Sequence, residues 1–261
     1  MSQSIGRAVE ILRLVASSTD GKRLVDLQRE TGLTKPTVHR ILNALRGHGF
    51  IDQHEDSKRY TLGQEISMLG WSAGHQAYDL RDICADNMVE VAQRTGDTSF
   101  LSVRSGYDVV CLDRQSGSYP VKAFTIDVGN RRPIGVGAGG VVLLASLSEE
   151  ERKDAYVAVK GRLDQFPAID LKAIRHAVDR ALDCGYALSN GFVLAEVRGI
   201  GVPIRNIEGR TVAALSLAAI KDRITPERLP ELLTVLKAGA SQIEQRLAAA
   251  MQSKVRGASK A

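Results

Sequence analysis

The sequence predicts an α+β chain of two domains, and three observations carry that expectation. Helical periodicity fills the N-terminal quarter and then gives way to a strand-turn-strand pattern. A segment of seven-residue apolar spacing follows. The remainder mixes short strand patterns with capped helices. The chain has 261 residues, 44% hydrophobic and 25% charged. That is ordinary globular composition, and it excludes a disordered, collagen-like or mucin-like chain.

Ile5, Ala8, Val9, Leu12, Val15 and Ala16 recur at helical spacing and predict an amphipathic helix over 4–17. Ser17-Ser18-Thr19-Asp20-Gly21 is a loop signal. Val25–Thr31 reads as a short helix stopped by Gly32. Thr34 is placed to cap a third helix, with Pro36 tolerated in its first turn. Val38, Ile41, Leu42 and Leu45 line the inner face of that helix, and Gly47 and Gly49 end it. FIDQH and RYTL flank Glu55-Asp56-Ser57-Lys58, which predicts a β-hairpin.

From Gln64 onward, Ile66, Ala73 and Leu80 are seven apart, as are Gly70, Ala77 and Cys84. This predicts a linker helix over 64–80 with a narrow apolar seam, suited to a partner chain. Gly70 and Gly74 weaken it and favour a kink or break.

Farther on, Ser99–Arg104 and Asp108–Leu112 read as strands around the turn Ser105-Gly106-Tyr107. Ser148 and Glu151 have capping-box spacing and open a helix. Leu171–Asp183 reads as another helix, ended by Gly185. Val202–Asn206 and Thr211–Ala218 read as a hairpin. Thr225 and Pro226 open a last helix carrying Leu229, Leu236 and Ile243 on one seam. Residues 251–261 are expected to be a flexible tail.

Three cysteines without a CxxC exclude a disulfide scaffold and give no zinc spacing. No run of 18 apolar residues appears, so no membrane span is expected. Arg7, Glu10 and Arg13 interrupt the first apolar segment, unlike a signal peptide, and a cytoplasmic chain is expected. The net charge is +5. Residues 1–63 hold 10 Lys+Arg and 7 Asp+Glu, so the N-terminal quarter is the more basic part per residue.

The same quarter holds the most specific motif of the chain, LVDLQRETGLTKPTVHRILNALRGHGFID. A helix-turn-helix needs a short helix, a tight turn and a second helix with one free polar face. The free face carries Lys35, Thr37, His39, Arg40 and Asn43, donors suited to phosphates and base edges. The hairpin behind it brings Lys58 and Arg59 as a wing near flanking backbone.

The pattern Gly-Leu-x-Lys-x-Thr-Val-x-Arg-Ile-Leu-x-x-Leu at Gly32–Leu45, with Gly49-Phe50 and Tyr60-x-Leu62-Gly63, resembles the winged helix-turn-helix of IclR-family transcriptional regulators. The resemblance continues through GNRRPIGVGAGGVVLLASL at Gly129–Leu147 and GYALSNGFVLAEVRGIGVPIRN at Gly185–Asn206. It implies a DNA-binding domain over 1–63 and a GAF-like effector-binding domain over 81–250, in which an antiparallel sheet flanked by helices encloses a small organic acid. Carried over by position, the ligand site draws on Val121, Phe124, Arg132, Ala138, Gly139, Ser189, Gly199, Ser216 and Ala218.

The residue chemistry agrees in part. Glycine-rich backbone lets amide donors approach an anion, Arg132 can form a charge-assisted bond, and Ser189 and Ser216 can orient a carboxylate. Family members often have a Thr-Ala-x-Gly-Lys stretch where this chain has Gly137–Val141, a cysteine near Gly199 and an acid near Ser189. Their loss leaves a smaller, less polar site and tilts the expected ligand toward a bulkier, aromatic acid.

Gly135-x-Gly137-x-x-Gly140 formally matches a dinucleotide fingerprint, but the acids that follow, Glu149–Glu151, begin a helix instead of ending a second strand. No GxSxG, HExxH or P-loop occurs. His176 lies in a helix among charges and is expected to be exposed. The resulting expectation is a regulator, not an enzyme, with no cofactor and no metal. Its partners are double-stranded DNA with a near-palindromic operator, a small carboxylic acid and further copies of itself, as a dimer or a homotetramer. The alternative is a ligand-binding module whose winged helix mediates protein contacts.

Overall fold

The computed structural model describes residues 3–18, 20–72 and 76–258. The chain divides into two units, Met1–Ala77 and Tyr78–Ala261.

In the first unit, α1 (Gln3–Ala16), α2 (Leu24–Thr31) and α3 (Lys35–Gly47) surround one apolar core. Ile11, Val15, Leu27, Val38 and Leu42 are fully or almost fully buried there, at roughly 1.5–3 kcal/mol apiece. The expected hairpin is present as β2 (Ile51–Gln53) and β3 (Arg59–Leu62). A two-residue strand, β1 (Lys22–Arg23), adds to β3 on its other side. Gly32 ends α2 in the left-handed region at φ 66° and donates to Gln28 O, the stop the sequence implied. Thr34 does occupy the N-cap of α3, but its hydroxyl meets Thr37 Oγ1 at 2.9 Å instead of capping the backbone.

Where the wing returns, Gly63 packs its backbone onto Gly49 so closely that a side chain at Gly63 would run into the Gly49 carbonyl. Gly63 N donates to Phe50 O at 2.9 Å and Glu65 N to Gly49 O at 3.1 Å. The end of α3 and the start of α4 (Gln64–Ser72) are thereby joined.

The linker helix of 64–80 is observed as two elements, α4 and α5 (Gln76–Thr95). Ala73 and Gly74 lie outside the described residues. The second helix runs well beyond residue 80, because Leu80, Cys84, Met88 and Val91 extend one buried stripe along it.

The second unit is built on one antiparallel sheet. Among the described residues it comprises β4 (Thr98–Ser105), β5 (Asp108–Ser116), β6 (Arg131–Pro133), β7 (Ala187–Asn190), β8 (Val197–Arg205) and β9 (Thr211–Ile220). Their order is β6-β5-β4-β9-β8-β7. Strand alternation divides the residues cleanly. Leu101, Ile200, Val202, Leu215 and Leu217 face α5 and α9 (Leu229–Ala258). Phe100, Ser102, Gly199, Gly201, Ser216 and Ala218 face the opposite side.

That opposite side is covered by α6 (Ala138–Ala145), with α7 (Glu149–Lys160) and α8 (Leu171–Cys184) packed against it. The capping box at Ser148 and Glu151 forms with both of its hydrogen bonds. Gly201 is what lets α6 approach the sheet, since a Cβ there would lie 3.2 Å from the Ala138 carbonyl.

Two expectations at the C-terminus are revised. The last helix begins at Leu229, after a turn from Thr225 that closes with Leu229 N donating to Thr225 O. Helix also continues through Ala258 where a frayed tail was expected, while 259–261 lie outside the described residues. Ala248, Ala249, Ala250, Met251, Lys254 and Arg256 are strong helix formers, so propagation from a well-packed start is favourable. The start of α9 is tied to the end of α5 by Asp97, 4% exposed, which accepts from Arg223 Nε at 2.5 Å and Arg228 Nη1 at 2.8 Å.

Candidate functional site

The outer face of α3 carries the residues singled out for nucleic acid. Lys35, His39, Arg40 and Asn43 are exposed, and Thr37 is half-buried. Asn43 Nδ2 lies 3.3 Å from His39 Nδ1, one helical turn away, so the two side chains present a joint polar surface. Lys58 is exposed in the wing turn and adopts φ 55°. Arg59 is different. It is half-buried, and its Nη1 donates to Gly21 O at 2.8 Å, so part of its guanidinium holds the wing to the loop before β1. Gly21 is required there, because at φ 72° a Cβ would stand 2.5 Å from Tyr60 O.

The second unit contains a cavity between α6 and the sheet. Its enclosed space is about 50 Å3, room for a group of only a few atoms. Sheet register builds the floor. Phe100 pairs with Ser216 and Ser216 with Gly201; beside them Ala218 pairs with Gly199 and Gly199 with Ser189. The roof is the first turn of α6. Gly137 enters it at φ 78° and no side chain caps it, which leaves backbone N–H groups for an acceptor. Around the Gly139 Cα, Ser102 Oγ and Ser216 Oγ converge, at 3.3 Å and 3.4 Å from where a Cβ would be.

Arg132 completes the arrangement. Strand alternation sends its neighbour Arg131 outward, where it bonds Ser105 Oγ at 3.0 Å and lies 3.8 Å from Asp108. Arg132 turns inward, only 8% exposed, and no carboxylate pairs with it among the described residues. Its guanidinium lies 3.6 Å from where a Cβ on Gly137 would be, beside the open end of α6. Burial pulls its pKa down to about 10. A buried cation without a counter-ion is costly, and an anion in the cavity would offset that cost.

Seven of the residues expected at the ligand site line this cavity: Arg132, Ala138, Gly139, Ser189, Gly199, Ser216 and Ala218. Val121 and Phe124 do not. They are 53% and 50% exposed, and the Phe124 ring lies under the Arg114 guanidinium at 4.0 Å. Thr125 and Ile126 of the same loop take their place in the lining. The segment between β5 and β6 is irregular, so no periodicity told which of its residues turn inward. Ser102, Phe100, Phe192 and Arg198 also line the cavity and were not singled out. Alternation along β4 could have found Phe100 and Ser102, but only once the pairing of β4 with β9 was known.

The glycine fingerprint at 135–140 does run from a strand into a helix. Its strand, β6, is an edge strand antiparallel to β5, so the βαβ unit that a dinucleotide needs is not formed. Among the described residues no cluster of three or more His, Cys, Asp or Glu could hold a metal ion. No helix among them is long and apolar enough to cross a membrane.

Comparison with known proteins covers both units. Residues 4–55 match the family model of the IclR helix-turn-helix domain, and residues 74–245 match that of the bacterial transcriptional regulator IclR C-terminal domain. Among curated relatives, the HTH-type transcriptional regulator XynR of Escherichia coli is 31% identical over 232 residues, 87% of this chain and 90% of that protein. The HTH-type transcriptional regulator KipR of Bacillus subtilis is 27% identical, covering 86% and 89%. Among solved structures, an IclR transcriptional regulator from Alicyclobacillus acidocaldarius shares the fold with a TM-score of 0.69 at 21% identity, covering 95% of this chain and 100% of that one. An IclR homologue from Microbacterium hydrocarbonoxydans, crystallised in complex with 4-hydroxybenzoate, superposes with a TM-score of 0.71 at 26% identity, covering 94% and 99%.

Proposed function

This chain belongs to the IclR family of bacterial transcriptional regulators, and from that membership we propose how it works: a small organic acid in the C-terminal cavity modulates operator binding by α3 and the wing. The chain is a transcriptional regulator with a helix-turn-helix domain and a C-terminal effector domain.

The observation that carries the proposal is Arg132, buried beside the α6 N-terminus without a carboxylate partner. A ligand carboxylate would accept from its guanidinium and from the first-turn N–H groups of α6, with Ser102 and Ser216 as further donors. Because the enclosed space is small, the body of the acid would lie along the outer lining formed by Thr125, Ile126 and Leu194. That lining suits an aromatic or branched acid. The 4-hydroxybenzoate bound by the Microbacterium homologue is of this class.

On the DNA side, Lys35, Thr37, His39, Arg40 and Asn43 would meet phosphates and base edges in the major groove, and Lys58 and Arg59 the flanking backbone. Two chains would place their recognition helices in successive major grooves of a near-palindrome, about one helical turn apart. The acid changes affinity only to the extent that it binds the DNA-competent and DNA-incompetent arrangements unequally.

The test is fluorescence anisotropy of labelled DNA from upstream of the chain's own gene, against a shuffled control, across a salt series and with a panel of carboxylates that includes 4-hydroxybenzoate. The expected result is sequence-selective, strongly salt-dependent binding that at least one aromatic acid shifts. Equal, weakly salt-dependent binding to both sequences, with and without every acid, would overturn the reading.

A further inference from the structure

We propose that the groove bounded by α8, β7 and the turn entering α9 is a second ligand site, one that takes an amphipathic organic anion, an aromatic body bearing a carboxylate or sulfonate. The groove adjoins the small cavity under α6 and is far larger, about 560 Å3, the size of a small-molecule site. The proposal does not rest on the acid proposed for the first cavity.

Its chemistry is one-sided. His176, Arg180 and Arg198 line it, and no aspartate or glutamate does. Among the half-buried arginines elsewhere on this unit, Arg114 is matched by Asp127, and Arg223 and Arg228 by Asp97. Arg180 has no ion-pair or hydrogen-bond partner among the described residues. Arg198 is held in place by neutral oxygens alone, with Nε donating to Asn190 Oδ1 at 2.8 Å and Nη1 to Ile224 O at 2.9 Å. Its charge is therefore fixed at the groove wall and not neutralised. Tyr186, Leu188 and Leu229 supply the apolar surface. Positive groups and apolar groups that line one groove recognise an amphipathic anion.

Ser189, Phe192 and Arg198 line both this groove and the cavity under α6. An occupant of the groove that shifts this shared wall changes affinity in the cavity, and the reverse holds by the same factor.

The groove contains its own reporter. Cys184, exposed at the end of α8, lines it, while Cys84 and Cys111 are buried and burial pushes their thiols up to about 12 and about 11. Iodoacetamide should therefore report on Cys184 alone. The probe is 1-anilinonaphthalene-8-sulfonate, titrated into the full chain while its fluorescence and the alkylation rate of Cys184 are followed. The expected result is saturable fluorescence with matching protection of Cys184. In Arg180→Glu the half-saturating concentration should rise roughly tenfold, and in Arg132→Met it should stay unchanged.

Failure of the probe to protect Cys184, equal protection in Arg180→Glu, or loss of protection in Arg132→Met would each overturn the proposal. So would a native mass, read by light scattering, that falls in Arg180→Glu, because the groove would then be covered by a second copy of the chain.

Discussion

Ser189 and Gly199 face each other on neighbouring strands so closely that a Cβ on Gly199 would stand 2.7 Å from Ser189 Oγ and 3.2 Å from Ala138 Cβ. The floor of the α6 cavity is open only because residue 199 has no side chain. Gly199→Val should therefore occlude it. Overpacking should cost about 1–3 kcal/mol of stability, visible in the melting temperature. Operator binding without ligand should persist and the response to any acid should vanish. An intact response would show that the ligand binds elsewhere.

Arg132 gives an asymmetric expectation. Replacing it by Met removes a buried cation that has no counter-ion, so the ligand-free protein should melt no lower than the wild type and could melt higher. Affinity for a carboxylate should fall by about 1.5–3 kcal/mol, the range for a hydrogen bond to a charged group. Calorimetric titration and a thermal scan on the same two proteins check both halves. A strong loss of stability without loss of affinity would assign Arg132 a purely structural role.

Arg40 and Arg59 should separate cleanly. Arg40 is exposed with no partner among the described residues, whereas Arg59 holds the Gly21 carbonyl. Arg40→Ala should cost about 1–3 kcal/mol of operator affinity and leave the melting temperature unmoved. A loss confined to the specific site marks base readout, and a uniform loss marks a phosphate contact. Arg59→Ala should lower both affinity and melting temperature.

Lys58 holds a left-handed backbone at φ 55°, the only described residue other than glycine to do so. Lys58→Gly should relieve roughly 1 kcal/mol of strain and raise stability. DNA affinity should nonetheless fall evenly across sequences, with the salt slope reduced by about 1. Unchanged affinity would remove the wing turn from the DNA contact.

Cys84 predicts an alkaline effect. Burial, reinforced by Asp113, raises its pKa to about 12 from about 9. Between those values the unfolded chain has lost the proton and the folded chain has kept it. Stability is fully present below pH 9 and is lost as pH rises toward 12. Cys84→Ala should show a shallower fall in melting temperature over that interval, whatever its starting value. Parallel curves would mean that the thiol titrates normally.

The winged helix-turn-helix was legible because its signals are local. Apolar spacing, the Gly32 stop and the Ile51–Leu62 hairpin each specify structure within a few residues of themselves. β1 was not, since Lys22 and Arg23 become a strand only through pairing with β3. The seven expected residues that line the α6 cavity lie on strands or at the start of a helix, where position is fixed by periodicity. Val121 and Phe124 sit in a long irregular segment where nothing periodic fixes which side chains turn inward. Arg198 was not singled out because its place in the lining depends on strand order, which puts β8 beside β7 at the sheet edge.

The contact of Gly63 with Gly49 has a mechanical consequence. Backbone lies on backbone there, braced by hydrogen bonds from Gly63 to Phe50 and from Glu65 to Gly49. No side chain intervenes that could change rotamer and absorb a rotation. A rotation of α4 that carried Gly63 away from Gly49 would therefore have to break both hydrogen bonds.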